Sequence, residues 1–150
     1  MAGQPQDPDF DGRVRASFAR QAFMATIGAR IASVAPGAVV LELPFDQGLT
    51  QQHGFLHAGV VAALADNACG FAALSLMPPG AAVVSVEFKI NLMAPAAGTV
   101  FTATGRVIRS GRTLTVCSAE VAAADGDREK VVAVMQATMM SVQGRPGLSD

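Results

Sequence analysis

The feature that most constrains this chain is a long apolar segment at residues 57–76. It holds no proline, is rich in Ala and Leu, and is followed by a Pro-Pro-Gly stop at 78–80, so we predict one helix over the segment. Because the helix is apolar on every side, we expect it to be buried. Asp66 lies at its centre. A central Asp costs a membrane-inserted helix about 3 kcal/mol, so we reject a membrane span.

The rest of the chain has the pattern of strands separated by short turns. Apolar residues at every fourth position over residues 9–22 predict a short N-terminal helix. Breaks at Pro36-Gly37, around Pro95, at Ser110-Gly111 and at Asp125-Gly126-Asp127 are typical of turns between antiparallel strands. The predicted strands are 29–35, 38–45, 82–93, 98–110, 112–124 and 129–142.

This order of elements predicts an α+β fold, with a curled antiparallel sheet wrapped around the central helix. The length of 150 residues is usual for one domain, so we predict a single domain over 1–150, with flexible tails at 1–8 and 143–150. One chain would leave sheet edges and one side of the helix uncovered. We therefore expect a homodimer or a higher symmetric oligomer.

Composition excludes several classes of function. The formal net charge is −1, with no basic run, which argues against binding to nucleic acid or to an anionic membrane surface. The absence of Trp and Tyr argues against a platform for stacking bases. The first residues lack the pattern of a signal peptide, so we expect a cytoplasmic protein. Cys69 and Cys117 lie in apolar stretches without metal-ligand spacing, which predicts buried thiols and no metal site.

Residues 51–66 carry the most specific motif, Gln-Gln-His-Gly-Phe-Leu-His-Ala-Gly-Val-Val-Ala-Ala-Leu-Ala-Asp. This segment resembles the hotdog-fold acyl-CoA thioesterases, and most of all their phenylacetate-pathway (PaaI-type) branch. That branch has an Asn, a Gly three residues later, a His-Gly-Gly at a helix start and an acidic residue nine positions after the His. Here Gly54, His57 and Asp66 keep the spacing, whereas Gln51 replaces the Asn and Ala58 replaces the first Gly.

Two later segments, 84–98 and 110–114, also resemble that family, so the likeness covers about residues 22–142. It implies a hotdog fold and hydrolysis of an acyl-CoA thioester to the free acid and CoA. No cofactor is needed beyond the CoA of the substrate. It also implies a homodimer, or a homotetramer built as a dimer of dimers. For the site it implies that Asp66 acts as general base or nucleophile, and that Ser85 holds the attacking water or the Asp66 carboxylate.

The same residues have a reading that does not depend on the family. Burial of Asp66 should raise its pKa, which suits acid–base work in a cleft, although a purely structural Asp remains the alternative. The first N–H groups of the helix can bind developing negative charge, and Gly59 lets a carbonyl approach them closely. His57 either shapes this turn or bonds the substrate oxygen. Gln51 either orients the water or the thioester or is a polar residue of the loop.

The spacing between Gly59 and Asp66 predicts a site shared by two chains. Seven residues span about 10.5 Å of helix axis, whereas both groups must lie about 3 Å from one reacting carbonyl. One straight helix cannot achieve this, but Gly59 of one chain can face Asp66 of a second, antiparallel chain.

The predicted hairpin at 109–112 offers a candidate site for the CoA phosphates. Arg109 and Arg112 flank its turn around Gly111, and guanidinium groups match phosphate geometry. A solvated turn explains the same residues. Two other functions stay open: a hotdog hydratase or dehydratase, and a non-catalytic protein that binds acyl-CoA.

Overall fold

The structure is a computed structural model and describes residues 3–150. Its helices are α1 (Phe10–Ala19), α2 (Ala22–Ile27) and α3 (Ala58–Leu74), and a 3₁₀ turn covers Gln47–Leu49. Its strands are β1 (Arg30–Ala35), β2 (Ala38–Pro44), β3 (Ala82–Leu92), β4 (Val100–Ser110), β5 (Leu114–Asp125) and β6 (Arg128–Val142).

The six strands form one antiparallel sheet in the order β1-β2-β4-β5-β6-β3. Helix α3 lies on one face of this sheet and packs against β2, β3, β4, β5 and β6. The predicted α+β fold, with a sheet around one central helix, is confirmed. Strands β1 and β3 are the two edges, so each has one side without a neighbouring strand among residues 3–150.

A glycine brings the central helix close to the sheet. Alternate residues of β4, including Phe101, Ala103 and Gly105, are buried and face α3. A Cβ added to Gly105 would lie 2.3 Å from the backbone of Ala68, much closer than two carbon atoms can approach. The helix therefore rests directly on the backbone of β4, and only glycine fits at position 105.

The chain before the sheet differs from its prediction. The single helix expected over residues 9–22 is confirmed as α1, but a second short helix, α2, follows after a break at Arg20 and Gln21. Gly28 ends α2 with a φ of 80°, a left-handed conformation that suits glycine. The sequence pattern assigns no element to residues 23–28, because six residues are too few for helical periodicity to emerge.

The side chain of Arg13 on α1 caps the far end of α3. It donates to the carbonyl oxygens of Leu74 (2.7 Å), Met77 (3.0 Å) and Pro78 (2.7 Å) and forms an ion pair with Asp7 at 3.2 Å. Leu74 is the last residue of α3, and Met77 and Pro78 follow the helix. The carbonyls of Leu74 and Pro78 also accept the backbone N–H groups of Met77 and Ala81. Arg13 thus adds hydrogen bonds from a charged donor at the end of α3 and joins this end to α1.

The two predicted tails make contacts with this body. Asp150 accepts hydrogen bonds from the Ser17 hydroxyl (2.8 Å) and from the Val83 N–H (2.7 Å), and Gln6 donates to the carbonyl of Leu76. Residues 1 and 2 of the predicted arm lie outside the described residues. The single domain with flexible tails stays a prediction, although these contacts hold residues of both tails against the domain.

The two cysteines have the environment that the sequence predicts. Cys69 and Cys117 are free and buried, as predicted, and burial raises the pKa of both thiols. Within residues 3–150, no helix combines the length and the hydropathy needed to cross a membrane.

Candidate active site

The acidic residue of the motif lies midway along α3, beside the edge strand β3. The hydroxyl of Ser85 donates a hydrogen bond to Oδ1 of Asp66 at 2.7 Å. Partial burial raises the pKa of Asp66 above its ordinary value, and the bond from Ser85 opposes this shift without cancelling it. Asp66 is therefore a carboxyl group held in place, with a raised proton affinity and its second oxygen left for other contacts.

The start of α3 is capped by a side chain. Nδ1 of His57 accepts the N–H of Gly59 at 2.8 Å, and the His57 carbonyl accepts the N–H groups of Val60 and Val61. A ring nitrogen that accepts a backbone N–H carries no proton, so the neutral ring holds its proton on Nε2. His57 shapes the turn, which is one of its two predicted roles.

This cap changes the expectation for Gly59. Its N–H, predicted to polarise the thioester carbonyl, already has the His57 ring as its partner. Within residues 3–150 we find no hydrogen bond that uses the N–H of Ala58, the first residue of α3. The helix start therefore offers the Ala58 N–H directly, and it offers the Gly59 N–H once the His57 ring moves aside.

The loop before α3 is held together by Gln51. Its side-chain oxygen accepts the backbone N–H groups of His53 and Phe55, and its backbone N–H donates to the Phe55 carbonyl at 2.9 Å. With the amide oxygen used in this way, the remaining function of the side chain is its NH₂ group, which can only donate.

A cavity of about 400 Å³ opens beside Gln51 and the first turn of α3. Its walls come from the loop before α3, the first turn of α3, the last residue of β3, the segment after β3 and one residue of β6. The lining residues are Gln51, Phe55, Leu56, Ala58, Val61, Leu92, Met93, Ala94, Pro95, Ala96 and Val132. Of these residues the sequence analysis predicts a site role only for Gln51, because the positions of the others become neighbours only after folding.

Apart from the hairpin, the predicted site residues therefore fall into two groups along α3. Gln51, in the loop before the helix, lines the cavity, and His57 and Gly59 flank the lining residue Ala58 at the helix start. Asp66 lies about two turns further along the helix, where it bonds to Ser85 of β3. Helix α3 is continuous from Ala58–Leu74, so the axial separation of about 10.5 Å between Gly59 and Asp66 holds. One chain alone does not bring the two groups together.

The hairpin residues lie at the β4–β5 turn. Gly111 donates its N–H to the Leu114 carbonyl at 2.8 Å, and an added Cβ would lie 2.6 Å from that oxygen, so the turn itself requires glycine. Arg109 and Arg112 are exposed. Ser85, Met139, Thr115 and Ser110 pair in turn across four adjacent strands, which places this turn about 14 Å from Ser85.

Comparisons with known proteins agree with these observations. The family described as "Thioesterase superfamily" matches residues 53–130. A thioesterase family protein of known structure from Silicibacter pomeroyi is 51% identical, with a TM-score of 0.89 over 90% of this chain and 99% of its own. Human acyl-coenzyme A thioesterase 13 is 36% identical over 61% of this chain and 65% of its own length. A 1,4-dihydroxy-2-naphthoyl-CoA hydrolase from Listeria monocytogenes is 29% identical over 76% of this chain and 90% of its own.

The Escherichia coli PaaI protein of the phenylacetic acid degradation operon is also similar in structure. Its TM-score is 0.82 over 93% of this chain and 97% of its own, at 23% identity, so this likeness concerns the fold. The resemblance to hotdog thioesterases read from residues 51–66 is confirmed, and so is the assignment of the protein as a thioester hydrolase. By the family match over residues 53–130 and the likeness to the Silicibacter protein, this chain belongs to the thioesterase superfamily.

Proposed function

We propose that this protein hydrolyses acyl-CoA thioesters to the free acid and CoA, with Asp66 as the reacting acid. The observation that carries the proposal is the carboxyl of Asp66, held by the Ser85 hydroxyl at 2.7 Å, with a pKa raised by burial. A positioned carboxylate of raised proton affinity is suited to accept a proton from water near neutral pH. The human and Listeria relatives, whose names state CoA thioester hydrolysis, support the same substrate class.

The step can be written in two ways that give the same products. Acting as a base, Asp66 takes a proton from water while the water oxygen bonds to the carbonyl carbon. The carbon–sulfur bond then breaks, and the CoA sulfur leaves with a proton. Acting as a nucleophile, Asp66 bonds to the carbonyl carbon and the carbon–sulfur bond breaks, so that the CoA sulfur leaves and takes up a proton. Water then cleaves the resulting anhydride, which releases the acid and restores the Asp66 carboxylate. In both, donors at the start of α3 stabilise the charge that develops on the carbonyl oxygen.

We further propose that two chains complete each site. The cavity and the helix start of one chain would face Asp66 of the other, because the two groups lie about 10.5 Å apart along one rigid helix. Edge strand β3 is the surface that would join the chains. Its apolar residues Val86, Phe88 and Leu92 are 52%, 45% and 53% exposed, and pairing of two β3 edges would cover them and extend the sheet. A dimer of such dimers would form the tetramer.

The phosphates of CoA would then bind the turn that carries Arg109 and Arg112. This turn lies at the same end of the sheet as Ser85, about 14 Å across the strands, and the pantetheine arm of CoA is long and flexible. Guanidinium groups bind phosphate oxygens in pairs. Arg109 pairs with Val116 on the face of the sheet turned away from α3, so the nucleotide would bind at the rim of the sheet.

We also propose a cytoplasmic location for the protein.

The test combines two variants that should each be inactive. Asp66→Asn keeps the size of the side chain but removes the base, and should lower kcat by about 10²–10⁴-fold. Gly59→Val adds a branched side chain where an added Cβ already lies 3.0 Å from the His57 ring, and so closes the helix start. After subunit exchange, activity should return to at most about a quarter of wild type, because random pairing makes about half of the dimers heterodimers and each heterodimer has one intact site of two.

Exchange is confirmed separately by mass labelling, and each variant alone must stay inactive and dimeric. Wild-type turnover in Asp66→Asn would overturn the role of Asp66. Complete exchange without any return of activity would place the whole site within one chain. Hydration of an enoyl-CoA without release of free thiol would favour a hydratase, and binding without either reaction a non-catalytic protein.

A further inference from the structure

We propose that residues 143–150 form a strap that closes the first part of the free edge of β3, and that this strap fixes the register in which the β3 edges of two chains pair. The inference rests on the two-chain site proposed above, because it names what limits the pairing surface of that site. It uses contacts that the proposed chemistry does not need, those of Asp150 with β3 and with α1.

The strap reverses the direction of the chain after β6, which ends at Val142. The N–H of Leu148 donates to the carbonyl of Arg145 at 3.1 Å, which closes a four-residue turn. Pro146 and Gly147 are the central residues of this turn, and Gly147 has a φ of 76°. This is the pattern of a type II turn, which needs a left-handed residue at its third position. The turn brings the following residues back to the start of β3.

Asp150 takes the place of a neighbouring strand at this start. Its Oδ2 accepts the N–H of Val83 at 2.7 Å, and its own N–H donates to the carbonyl of Ala81 at 3.4 Å. Val83 pairs with Ser141 of β6, whose N–H donates to the carbonyl of Thr113 on the β5 side. Two opposite residues of this kind direct their N–H groups away from each other, so the Val83 N–H points to the free edge. Asp150 therefore closes the first residues of that edge.

Helix α1 holds the strap from the other side. The hydroxyl of Ser17, which is only 5% exposed, donates to Oδ1 of Asp150 at 2.8 Å. Arg20 donates to the carbonyl of Ser149 at 3.3 Å, and its guanidinium lies 3.8 Å from the Asp150 carboxylate. Both oxygens of Asp150 are thus in use, and hydrogen bonds to a carboxylate are stronger than those between neutral groups. Asp150 is the anchor that joins the strap to α1 and to β3.

The two-chain site places the symmetry axis beside the middle of β3. Helix α3 and strand β3 run in opposite directions, because Asp66 contacts Ser85 whereas Ala58 and Leu92 line one cavity. If Gly59 of one chain faces Asp66 of the other, the two-fold axis passes midway between these two positions of α3. On β3, that midpoint lies about halfway between Ser85 and Leu92.

The strap begins where pairing about this axis ends. Phe88 lies at the middle of that stretch, so Leu92 of the partner subunit would lie opposite Val84. The residue before it, Val83, is already bonded to Asp150, and the partner strand cannot slide further in that direction. The smallest slip that keeps every side chain on its face is two residues, or about 6.8 Å. Such a slip would separate groups that must both lie about 3 Å from one reacting carbonyl.

The first experiment tests the anchor by amide hydrogen exchange, measured by NMR. Asp150→Ala removes the acceptor of the Val83 N–H and should speed exchange of this amide by at least about tenfold, because hydrogen bonds to charged groups are strong. Asp150→Asn keeps one acceptor oxygen, so it should have a smaller effect, and it keeps the test usable if the first variant is unstable. Asp127→Ala removes an exposed carboxylate at the β5–β6 turn and should leave exchange of the Val83 amide unchanged. Unchanged exchange in both Asp150 variants would overturn the proposal.

The second experiment measures the register with spin labels on Glu129→Cys. This position is exposed and lies at the end of β6 far from the strap, and Cys69 and Cys117 are buried, so the label attaches to the new cysteine. A slip of two residues would change the distance between the two labels of a dimer by up to about 6.8 Å. With the native strap we expect one distance. Asp150→Ala should add a second distance, and Asp127→Ala should not.

The outcomes separate this proposal from the proposed function. A single, unchanged distance in Asp150→Ala, with faster exchange of the Val83 amide, would show that the strap does not fix the register. Absence of any distance between labels would show that no dimer forms, and would overturn both the strap and the two-chain site. A second distance in Asp150→Ala supports the strap even if the protein hydrolyses no thioester. If it does hydrolyse them, kcat/KM should fall in proportion to the share of dimers in the second register.

Discussion

The two halves of helix α3 differ in what surrounds them. The first half, from Ala58 to Asp66, has an exposed start, a cavity beside it and a carboxyl group that contacts the edge strand. The second half, from Asn67 to Leu74, continues into a fully buried turn up to Met77 and lies directly on the backbone of β4. One continuous helix thus carries the candidate catalytic groups in its first half and packs on the sheet with its second half.

The two halves of α3 therefore differ in role: the second half fixes the position of the helix, and the first half carries the candidate catalytic groups. Backbone contact at Ala68 and the Arg13 cap fix the position of the second half. Because a helix is stiff over a few turns, this anchoring also fixes where Asp66 and the helix start lie. Substitutions in or under the second half should therefore lower stability, and substitutions in the first half should change rate, selectivity or pH dependence.

The largest effect is expected where the helix touches the sheet. Gly105→Ala would place a Cβ 2.3 Å from the Ala68 backbone, and neither element can shift without disturbing the core. We expect a loss of about 3 kcal/mol or more in the free energy of unfolding, or no folded protein, at the upper end of overpacking effects. Urea unfolding at fixed protein concentration measures it.

Gly70→Ala is the matched control for that prediction. Gly70 lies in the same half of α3, but a Cβ added there meets nothing within 4 Å. Alanine has the higher helix propensity, by about 1 kcal/mol, so this variant should be as stable as wild type or more so. If both glycine variants behave alike, close contact at Gly105 is not what positions α3.

Sequence patterns were sufficient for the elements but not for their contacts. The predicted helix over residues 57–76 and the four strands after it agree with α3 and β3–β6 to within about two residues, because proline, glycine and apolar periodicity act locally. The need for glycine at 105 has no local signal, since a lone glycine in a strand has several explanations. It arises from a helix that is more than thirty residues away in sequence.

The second effect concerns the cap at the buried end of α3. Arg13→Ala removes three hydrogen bonds to carbonyl oxygens and leaves Asp7 without its ion-pair partner. Hydrogen bonds from a charged donor are worth about 1.5–3 kcal/mol, so we expect a loss of about 3 kcal/mol in the free energy of unfolding. Arg13→Lys keeps the charge but not the planar fork, and should recover less than half of that loss.

Thermal and urea unfolding measure both Arg13 variants, and assays under folding conditions measure their kcat/KM. That ratio should stay within about threefold of wild type, because Arg13 contacts only the second half of α3. A larger fall in kcat/KM, at full folding, would mean that the two halves are not separable in the way the structure suggests.

The candidate site was predictable in part for the same reason as the fold. Spacing alone placed Gly59 and Asp66 two turns apart on one helix, and the structure keeps that separation. The partner of each group was not predictable. His57 accepts the Gly59 N–H, and the side-chain oxygen of Gln51 accepts two N–H groups of its own loop. Both sets of hydrogen bonds depend on side-chain torsions that residue spacing does not determine.

The smallest predicted effect is a shift in the pH dependence of kcat/KM. It is the most direct test of the first half of α3. Burial raises the pKa of Asp66 above 3.8, and the Ser85 hydroxyl lowers it by bonding to the charged form. Asp66 must be ionised to accept a proton, so kcat/KM should fall as the pH falls through this raised pKa. Ser85→Ala removes the opposing contribution, and should move the acid limb of the pH profile to higher pH.

Stability should respond to pH with the opposite sign. A carboxyl group whose pKa is raised by folding binds more protons in the folded state, so its ionisation lowers stability as the pH rises from 3.8 through the raised value. Asp66→Asn should flatten this part of the stability profile. Ser85→Thr keeps a hydroxyl group on a strand that tolerates β-branched residues, and should keep the wild-type acid limb. An acid limb that stays in place in Ser85→Ala would show that the group controlling the rate is not Asp66, or that Ser85 does not contact it during turnover.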